Sequence, residues 1–271
     1  MSRLTLLLAL ALLVGCTSPR QSQVPTAAPT TAPAATASGE RHELRFAAAD
    51  GVRLAGELAT PSGAPPYPLV VIIHHAGPVA RDAYAYMAPL LLARGYAVFR
   101  FDKRGTGASA GAYGCCEGDD ALAAYSAVVR EPKLDLANVF IVAQSVGTEE
   151  LAERFPAFVA AQPPRAVALL SNRLKAAQIR AIAAPALIVV ADSEPELAAI
   201  GPEAAKAHAA ALAGSTELYI AEGAEHSLFD ISAGPIDWSD PSWAQHYHRG
   251  AMTRLLDWLD SQRTPRAAFV P

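Results

Sequence analysis

The sequence predicts an α/β fold, namely a doubly wound and mostly parallel sheet with an antiparallel N-terminal edge. Three observations predict it: six short apolar runs with few polar residues, helical patterns between them, and two alternating runs that precede them. Continuous apolar runs are typical of strands buried on both faces of a parallel sheet. Their alternation with helices favours a single domain over residues 41–271.

The antiparallel edge is predicted from two alternating runs, residues 42–46 and 52–58, which flank the turn signal Asp50-Gly51 and suggest a hairpin. The apolar runs predict six further strands. These lie at residues 69–73, 97–101, 139–143, 166–170, 186–190 and 217–220. Apolar residues at helical spacing predict helices near residues 84–91 and 122–129 and a closing helix over residues 243–259.

The N-terminal segment has the features of an export signal. Arg3 precedes an apolar run, residues 4–14, which is too short to span a bilayer but has the length of a signal-peptide core. The run ends in LVGC at residues 13–16, which resembles the lipobox of bacterial lipoproteins. The resemblance implies a signal peptide over residues 1–15 and a lipid on Cys16. The alternative is an ordinary cleaved signal that contains a cysteine.

Residues 16–40 consist mostly of alanine, proline, threonine and serine. Such a segment has few large apolar side chains to bury, and its prolines lack the amide hydrogens that a helix needs. We therefore expect a partly extended tether that holds a folded domain near a membrane surface, on the periplasmic or cell-surface side.

Composition argues against nucleic-acid binding and against a small disulfide-stabilised fold. Lys and Arg number 22 and Asp and Glu number 26, which gives a net charge of −4 without any basic run. Nucleic acid is therefore not an expected partner, because phosphate binding needs a concentrated basic surface. Three cysteines cannot all pair, so no disulfide framework of the small secreted kind is expected.

A candidate nucleophile lies between a predicted strand and a helical segment. Residues 143–147 read AQSVG and resemble the nucleophile elbow of the α/β-hydrolase superfamily, with Ala143 in place of the usual first glycine. The turn is tight, so residues two positions from the serine must be small. The resemblance implies that Ser145 is the nucleophile and that the backbone amide of Val146 donates to an oxyanion.

Two further motifs stand in the order that the superfamily requires. Residues 74–78 read HHAGP and resemble its oxyanion loop, with His75 in place of glycine. The resemblance implies that the amide of Ala76 is the second oxyanion donor. Residues 102–109 read DKRGTGAS and match a turn whose aspartate and arginine brace loops and take no part in the chemistry.

The histidine and the acid of a catalytic triad are expected in later loops. Residues 222–230 follow the last predicted strand and resemble the family's histidine segment, which implies that His226 exchanges a proton with Ser145. Residues 191–195 read ADSEP, where the family pattern has a glycine first and an aspartate fourth. Glu194 takes the aspartate position and is favoured as the acid. Asp192 remains a rival.

The resemblance to the α/β-hydrolase superfamily covers residues 41–262 and is closest to the dienelactone-hydrolase-like and esterase-like branch. Only residues 171–185 separate two strands where lipases often insert a cap, so no sizeable cap is expected. An elbow serine implies an acyl-enzyme, and hence a carboxylesterase acting on a small-molecule ester without cofactor or metal. The alternatives are a thioesterase or amide-cleaving hydrolase with the same triad, and a non-catalytic surface binding lipoprotein.

Other reactive residue types receive structural interpretations. The adjacent Cys115 and Cys116 are expected to form a vicinal disulfide or to remain free thiols, without a catalytic role. His246 and His248 alone do not predict a metal site, because no further ligand motif accompanies them. Residues 231–243 directly follow the histidine segment and are a candidate border of the pocket.

Overall fold

A computed structural model describes residues 39–264 of the 271-residue chain. The predicted signal peptide, the lipidation site Cys16 and nearly all of the predicted tether lie outside the described residues, as do residues 265–271. The predicted strands and helices, and the motifs that carry the predicted triad and oxyanion donors, all fall within the described part.

In residues 39–264, eight strands form one sheet. They are β1 (Arg41–Ala47), β2 (Arg53–Ala59), β3 (Tyr67–Ile73), β4 (Ala97–Phe101), β5 (Leu134–Gln144), β6 (Ala166–Leu170), β7 (Ala186–Ala191) and β8 (Thr216–Ala221). Their order across the sheet is β1-β2-β4-β3-β5-β6-β7-β8. The β1/β2 and β2/β4 pairs are antiparallel, and all other pairs are parallel. The predicted parallel sheet with an antiparallel N-terminal edge is thus confirmed.

The central strands are apolar throughout because both of their faces are covered. In β3, Leu69, Val71 and Ile73 pack into one layer of the core, while Val70 and Ile72 pack into the other. All five side chains are buried. A strand with one solvent-exposed face would alternate polar and apolar residues, so the continuous apolar run in the sequence indicates that both faces are covered.

Five α-helices within the described residues cover the sheet. They are α1 (Met87–Ala93), α2 (Glu117–Val128), α3 (Val146–Ala161), α4 (Pro195–Ala211) and α5 (Arg249–Gln262). Buried residues of α2, α3 and α4 belong to one core layer, and those of α1 and α5 to the other. The described domain is therefore doubly wound, as the sequence predicts. Within residues 39–264, no helix has both the length and the apolar character needed to cross a membrane.

The predicted start of the closing helix at Trp243 is wrong. Residues Pro241–Gln245 form a short 3-10 helix, and α5 begins only at Arg249. His248 separates the two because it is extended and its ring Nδ1 accepts a hydrogen bond from the amide of Ala251. A capping side chain of this kind satisfies a free amide of the first turn and so begins a new helix.

The helix predicted near residues 84–91 also begins later, at Met87, after a 3-10 helix over Arg81–Tyr84. Pro89 is the third residue of α1. An amide at this position has no partner within the helix, so a proline costs little there.

The connection between β6 and β7 is short. Residues 171–185 contain one 3-10 helix, Ile179–Ala181, and no further helix or strand. The carboxyl ends of the parallel strands are therefore not covered by a cap inserted at this position, as predicted.

Candidate active site

Ser145 occupies a sharp turn between β5 and α3. Its backbone dihedral angles, φ 53° and ψ −121°, lie outside the regions that L-residues normally adopt. Such strain persists only where neighbouring structure holds it, and it is typical of functional sites. Here the Ser145 amide donates to Leu170 O at 2.9 Å, and the amide and hydroxyl of Thr148 donate to Ser145 O at 2.9 and 2.7 Å.

Small residues on both sides of Ser145 allow this turn. Ala143 is fully buried at the end of β5. A Cβ atom at Gly147 would lie 2.5 Å from the carbonyl oxygen of His74, which is closer than real Cβ contacts allow. The elbow therefore packs directly against the backbone that follows β3, and the sequence expectation of small flanking residues has a steric cause.

The structure brings the three predicted triad residues together. His226 lies in the loop after β8, and its Nε2 is 2.7 Å from the Ser145 hydroxyl oxygen. Its Nδ1 is 2.6 Å from Oε2 of Glu194, the residue directly before α4. Side chains of His226 and Glu194 remain 33% and 34% exposed, so solvent and substrate can reach this chain of hydrogen bonds.

Asp192, the rival acid, points to a different partner. Its Oδ1 accepts a hydrogen bond from the backbone amide of Gly223 at 2.9 Å. This contact joins the loop after β7 to the loop after β8, which carries His226. Asp192 therefore braces the two loops, while Glu194 makes the contact with the imidazole.

The two predicted oxyanion donors both follow strand ends near Ser145. Val146 is the first residue of α3, so its amide lacks a partner within the helix. Ala76 lies in the loop after β3 and is exposed. Within residues 39–264, neither amide donates a hydrogen bond to another group. Both are free to donate to a substrate oxygen.

His75 contacts Tyr84 through both its backbone and its ring. The backbone amide of His75 donates to the Tyr84 hydroxyl oxygen at 2.9 Å, and the same oxygen lies 2.8 Å from His75 Nδ1. Burial, together with the nearby charge of Lys103, lowers the pKa of His75 to about 4, so the ring is uncharged near neutral pH. In the sequence, His75 stands out only as a departure from the family pattern.

Charged residues of the DKRGTGAS turn brace the loops around the site. Asp102 is bound by the guanidinium of Arg81 at 2.6 and 2.9 Å and by the amide of Ala108 at 2.9 Å. Burial raises the pKa of Asp102, but the hydrogen bonds from Arg81 and Ala108 outweigh it and the net pKa is lowered. Arg104 pairs with the buried Asp120 at 2.7 Å, as the bracing interpretation expects.

A cavity of about 380 Å³ lies beside the triad. It is lined by His75, Ala83, Tyr86, Gln144, Ser227, Phe229, Trp238 and Trp243. Gln144 directly precedes Ser145 in the chain, and Ser227 directly follows His226. Gln144 Nε2 donates to Ser227 O at 3.0 Å. The segment 231–243 does border this cavity, through both of its tryptophans. A larger groove of about 620 Å³ lies at the opposite, amino ends of β3 and β5.

The remaining candidates stay outside the triad. Cys115 and Cys116 are exposed free thiols whose sulfur atoms lie 2.7 Å apart. His248 caps α5 as described above, and its Nε2 contacts Glu222 O at 3.0 Å. Among residues 39–264, no group of three or more histidine, cysteine or acidic side chains could hold a metal ion.

Comparisons with known proteins agree with this architecture. A family model described as X-Pro dipeptidyl-peptidase (S15 family) matches residues 50–130, which end before Ser145. Comparison with curated protein sequences finds no significant match. Among solved structures, an esterase of Pyrococcus furiosus is 15% identical over 84% of this chain and 92% of that one, with a TM-score of 0.64. The chain has an α/β-hydrolase fold.

Two further solved structures share the α/β-hydrolase fold. Carboxyl esterase 2 of the fungus Tuber melanosporum is 14% identical, covers 87% of this chain and 90% of its own, and has a TM-score of 0.64. Dienelactone hydrolase of Anabaena variabilis is 18% identical, covers 83% and 98%, and has a TM-score of 0.58. At such identities the similarity establishes the α/β-hydrolase fold alone.

Proposed function

We propose that the chain is a serine hydrolase that cleaves carboxylic esters through an acyl-enzyme. The observation that carries this proposal is the continuous chain of hydrogen bonds from Glu194 through His226 to the hydroxyl of Ser145. Nucleophile, base and orienting acid are the three parts that acyl transfer by a serine requires. A strained turn that places the serine at the start of a helix supports the same role.

In the acylation step, His226 Nε2 accepts the proton of the Ser145 hydroxyl while the oxygen attacks the ester carbonyl. The amides of Ala76 and Val146 donate to the resulting oxyanion. Glu194 orients the imidazole and stabilises its positive charge. The tetrahedral intermediate then collapses, the bond to the alcohol oxygen breaks, and His226 returns the proton to the leaving alcohol.

Deacylation repeats the sequence with water as the nucleophile. His226 accepts a proton from water, the hydroxide attacks the acyl carbon, and the released Ser145 oxygen takes the proton back. The partial exposure of His226 and Glu194 supports this step, because water must reach the imidazole. One ester and one water thus give one acid and one alcohol.

The proposal is tested with matched acyl groups presented as an ester, a thioester and an anilide. We expect the ester to have the highest kcat/KM and Ser145→Ala to lower its turnover by roughly 10³-fold or more. Ser62→Ala is the control, since Ser62 lines the groove at the opposite end of the sheet. Turnover by folded Ser145→Ala near the wild-type level would contradict the proposed mechanism.

Amide cleavage is the second candidate, because the family model that matches residues 50–130 describes a dipeptidyl-peptidase. An X-Pro anilide is therefore included in the panel. If kcat/KM is higher for this anilide than for the ester, and anilide cleavage is lost in Ser145→Ala, then Ser145 remains the nucleophile but the substrates are amides and not esters. If kcat/KM is highest for the thioester and this activity is lost in Ser145→Ala, the substrates are thioesters with the same nucleophile.

We further propose that the domain is exported and anchored to a membrane through a lipid on Cys16. The proposal is supported by the LVGC sequence at residues 13–16 and the apolar run before it. Radiolabelled palmitate should be incorporated into the wild-type chain and not into Cys16→Ser. Recovery of unlabelled wild-type protein in the soluble fraction would contradict the anchor.

A further inference from the structure

We propose, on the basis of the ester-cleaving function above, that the cavity beside Ser145 binds an uncharged aromatic group of the ester. Its wall is largely aromatic, formed by Tyr86, Phe229, Trp238 and Trp243. Acyl transfer itself uses none of these rings. They are therefore available to select the substrate.

The rings are arranged as aromatic pairs usually are. Phe229 lies 5.2 Å from Trp238 and 5.4 Å from Trp243, at interplanar angles of 72° and 52°. Tyr86 meets Phe229 at 5.0 Å and 65°. Edge-to-face and tilted contacts at these separations are favourable by about 0.5–1.5 kcal/mol beyond area burial. A ligand ring that enters the cavity extends this set of contacts.

Trp238 is the ring that such a ligand would cover. It is 50% exposed, whereas Phe229 beside it is only 2% exposed. The side chain of Asp237 accepts from the amide of Ser239 at 2.9 Å and fixes the turn that contains Trp238, and Asp240 accepts from the amide of Ser242 at 2.8 Å in the turn that follows. An indole held half exposed at the mouth of a cavity points to a surface that substrate completes.

Charge and size narrow the substrate class. No Asp, Glu, Lys or Arg lines the cavity among the described residues, and the only histidine there, His75, is neutral near pH 7. A charged substituent would lose its hydration without gaining a partner. A cavity of about 150 Å³ suffices for benzene, so about 380 Å³ accommodates a substituted ring.

Two matched pairs of esters test the proposal and show whether the aromatic group belongs to the acyl half or to the alcohol half of the ester. Ethyl phenylacetate against ethyl hexanoate places the ring in the acyl half, and benzyl acetate against hexyl acetate places it in the alcohol half. We expect at least one aromatic member to exceed its aliphatic partner about tenfold in kcat/KM. Trp238→Ala should reduce that preference by about two- to tenfold, and Trp238→Phe should retain most of it.

Leu136→Ala is the matched control, because Leu136 is also an exposed apolar residue, at 42%, but lies near the amino end of β5. Aromatic and aliphatic members within twofold of each other, or an unchanged preference in Trp238→Ala, would overturn the proposal. Ester turnover with no aromatic preference leaves the hydrolase function standing. If no ester is cleaved, the preference of the cavity is measured by binding. The affinities of Ser145→Ala for benzyl acetate and for hexyl acetate are then compared by tryptophan fluorescence.

A separate observation concerns Lys103, a buried residue with 4% exposure. Its ammonium donates to His75 O at 2.6 Å and pairs with Glu117. We infer that Lys103 is a positioning residue for the oxyanion donor Ala76. The carbonyl of His75 and the amide of Ala76 belong to one planar peptide unit, in which they point in opposite directions. A cation on the oxygen therefore fixes and polarises that N–H.

The neighbouring amides support this assignment. The His75 amide donates to the Tyr84 hydroxyl, and the Gly77 amide donates to the Tyr113 hydroxyl at 2.9 Å. Only the intervening amide, that of Ala76, is left without a partner within residues 39–264. The loop is thus held by the His75 amide, the His75 carbonyl and the Gly77 amide, and the Ala76 amide is left free to donate.

Substitution of Lys103→Met tests the positioning role, together with Lys103→Met/Glu117→Gln, which avoids leaving a carboxylate without its cation. We expect kcat to fall about ten- to hundredfold, less than for loss of a donor itself, with KM within about threefold. The affinity for a trifluoromethyl ketone, whose adduct carries an oxyanion, should fall in parallel. Affinity for benzyl acetate in the Ser145→Ala background should not change.

Arg154→Met is the matched control, because Arg154 forms an ion pair with Asp119 between α3 and α2 without touching the oxyanion loop. It should leave kcat unchanged. A folded double variant with kcat within twofold of wild type would overturn the inference. Equal losses of ketone and ester affinity would also overturn it, because a general loosening of the site produces that result.

Discussion

Two carboxylates two residues apart, Asp192 and Glu194, have different tasks because they contact different partners. Glu194 reaches the imidazole of His226, while Asp192 accepts from the amide of Gly223 and joins two loops. Glu194 also directly precedes α4, where the amino end of the helix favours negative charge. The amino end of α4 therefore favours the ionised form of the carboxylate that contacts His226.

Glu194→Gln should lower kcat by roughly 10²- to 10⁴-fold, because the amide retains size but cannot stabilise the imidazolium that forms during acylation. Asp192→Asn should cost less than about tenfold, since its oxygen can still accept from Gly223. Steady-state kinetics on the preferred ester measure both. The reverse ranking would transfer the role to Asp192.

Glu150 on α3 gives a pH-dependent contribution to stability. Burial raises its pKa from 4.5 to about 7. The folded protein therefore holds a proton that the unfolded chain releases between these values, and the associated stability, complete below pH 4.5, is lost as the pH rises through about 7. Urea unfolding of Glu150→Gln should show a free energy of unfolding that falls less from pH 5.5 to pH 8 than that of wild type.

Glu203→Gln is the control for this measurement, because Glu203 is an exposed carboxylate on α4 and is not among the groups that shift the pKa of Glu150. It should retain the wild-type pH dependence. If Glu150→Gln and wild type lose stability in parallel over this range, the half-buried carboxyl of Glu150 does not account for the effect.

Among single residues, the sequence predicted Ser145, Glu194 and His226 as partners but did not predict roles for Tyr84 or Lys103. The first three stand in motifs with fixed spacing. Tyr84 and Lys103 act through the backbone of His75, and a side chain's contact with a distant carbonyl or amide leaves no pattern in the local sequence.

At the scale of elements, the site depends on how closely α3 packs against the end of β3. The two elements approach so closely that a methyl group at Gly147 would overlap the carbonyl oxygen of His74. The same contact places the first turn of α3 beside the oxyanion loop. A change in the spacing between helix and loop would therefore alter the distance between the two predicted oxyanion donors.

Gly147→Ala should lower kcat by about tenfold or more and destabilise the fold by about 1–3 kcal/mol, because backbone must shift to admit the methyl group. Steady-state kinetics and urea unfolding measure the two effects. Gly201→Ala on α4 is the matched control, since its Cβ would meet a Val190 methyl group at 3.0 Å and no backbone atom. Gly201→Ala should leave kcat unchanged; an equal loss in both variants would contradict the account.

The strands could be predicted because a strand buried on both faces needs apolar residues at consecutive positions, which gives a continuous apolar run in the sequence. Helix starts were less predictable. The start of α5 depends on His248, whose ring accepts from the Ala251 amide, and histidine is not a residue type that marks caps. The limits of α4, whose interior contains Pro202, were likewise not predicted.

At the scale of the whole molecule, the fold places loops from distant parts of the chain around one end of the sheet. The cavity takes His75 from the loop after β3, Phe229 from the loop after β8, and Trp243 from the 3-10 helix before α5. The sequence predicted the sheet, and it predicted that residues 231–243 were a candidate border. Cavity shape and ring arrangement could not be predicted, because they depend on packing between these segments.

The central claim is that Ser145 is the nucleophile of an acyl-transfer reaction. Intact-mass and peptide analysis after treatment with a fluorophosphonate tests it most directly, because the reagent phosphonylates an activated serine without needing the natural substrate. We expect one adduct per chain, located on Ser145, absent from Ser145→Ala and formed far more slowly in His226→Ala. An adduct on another residue, or none on the folded wild-type protein, would contradict the account.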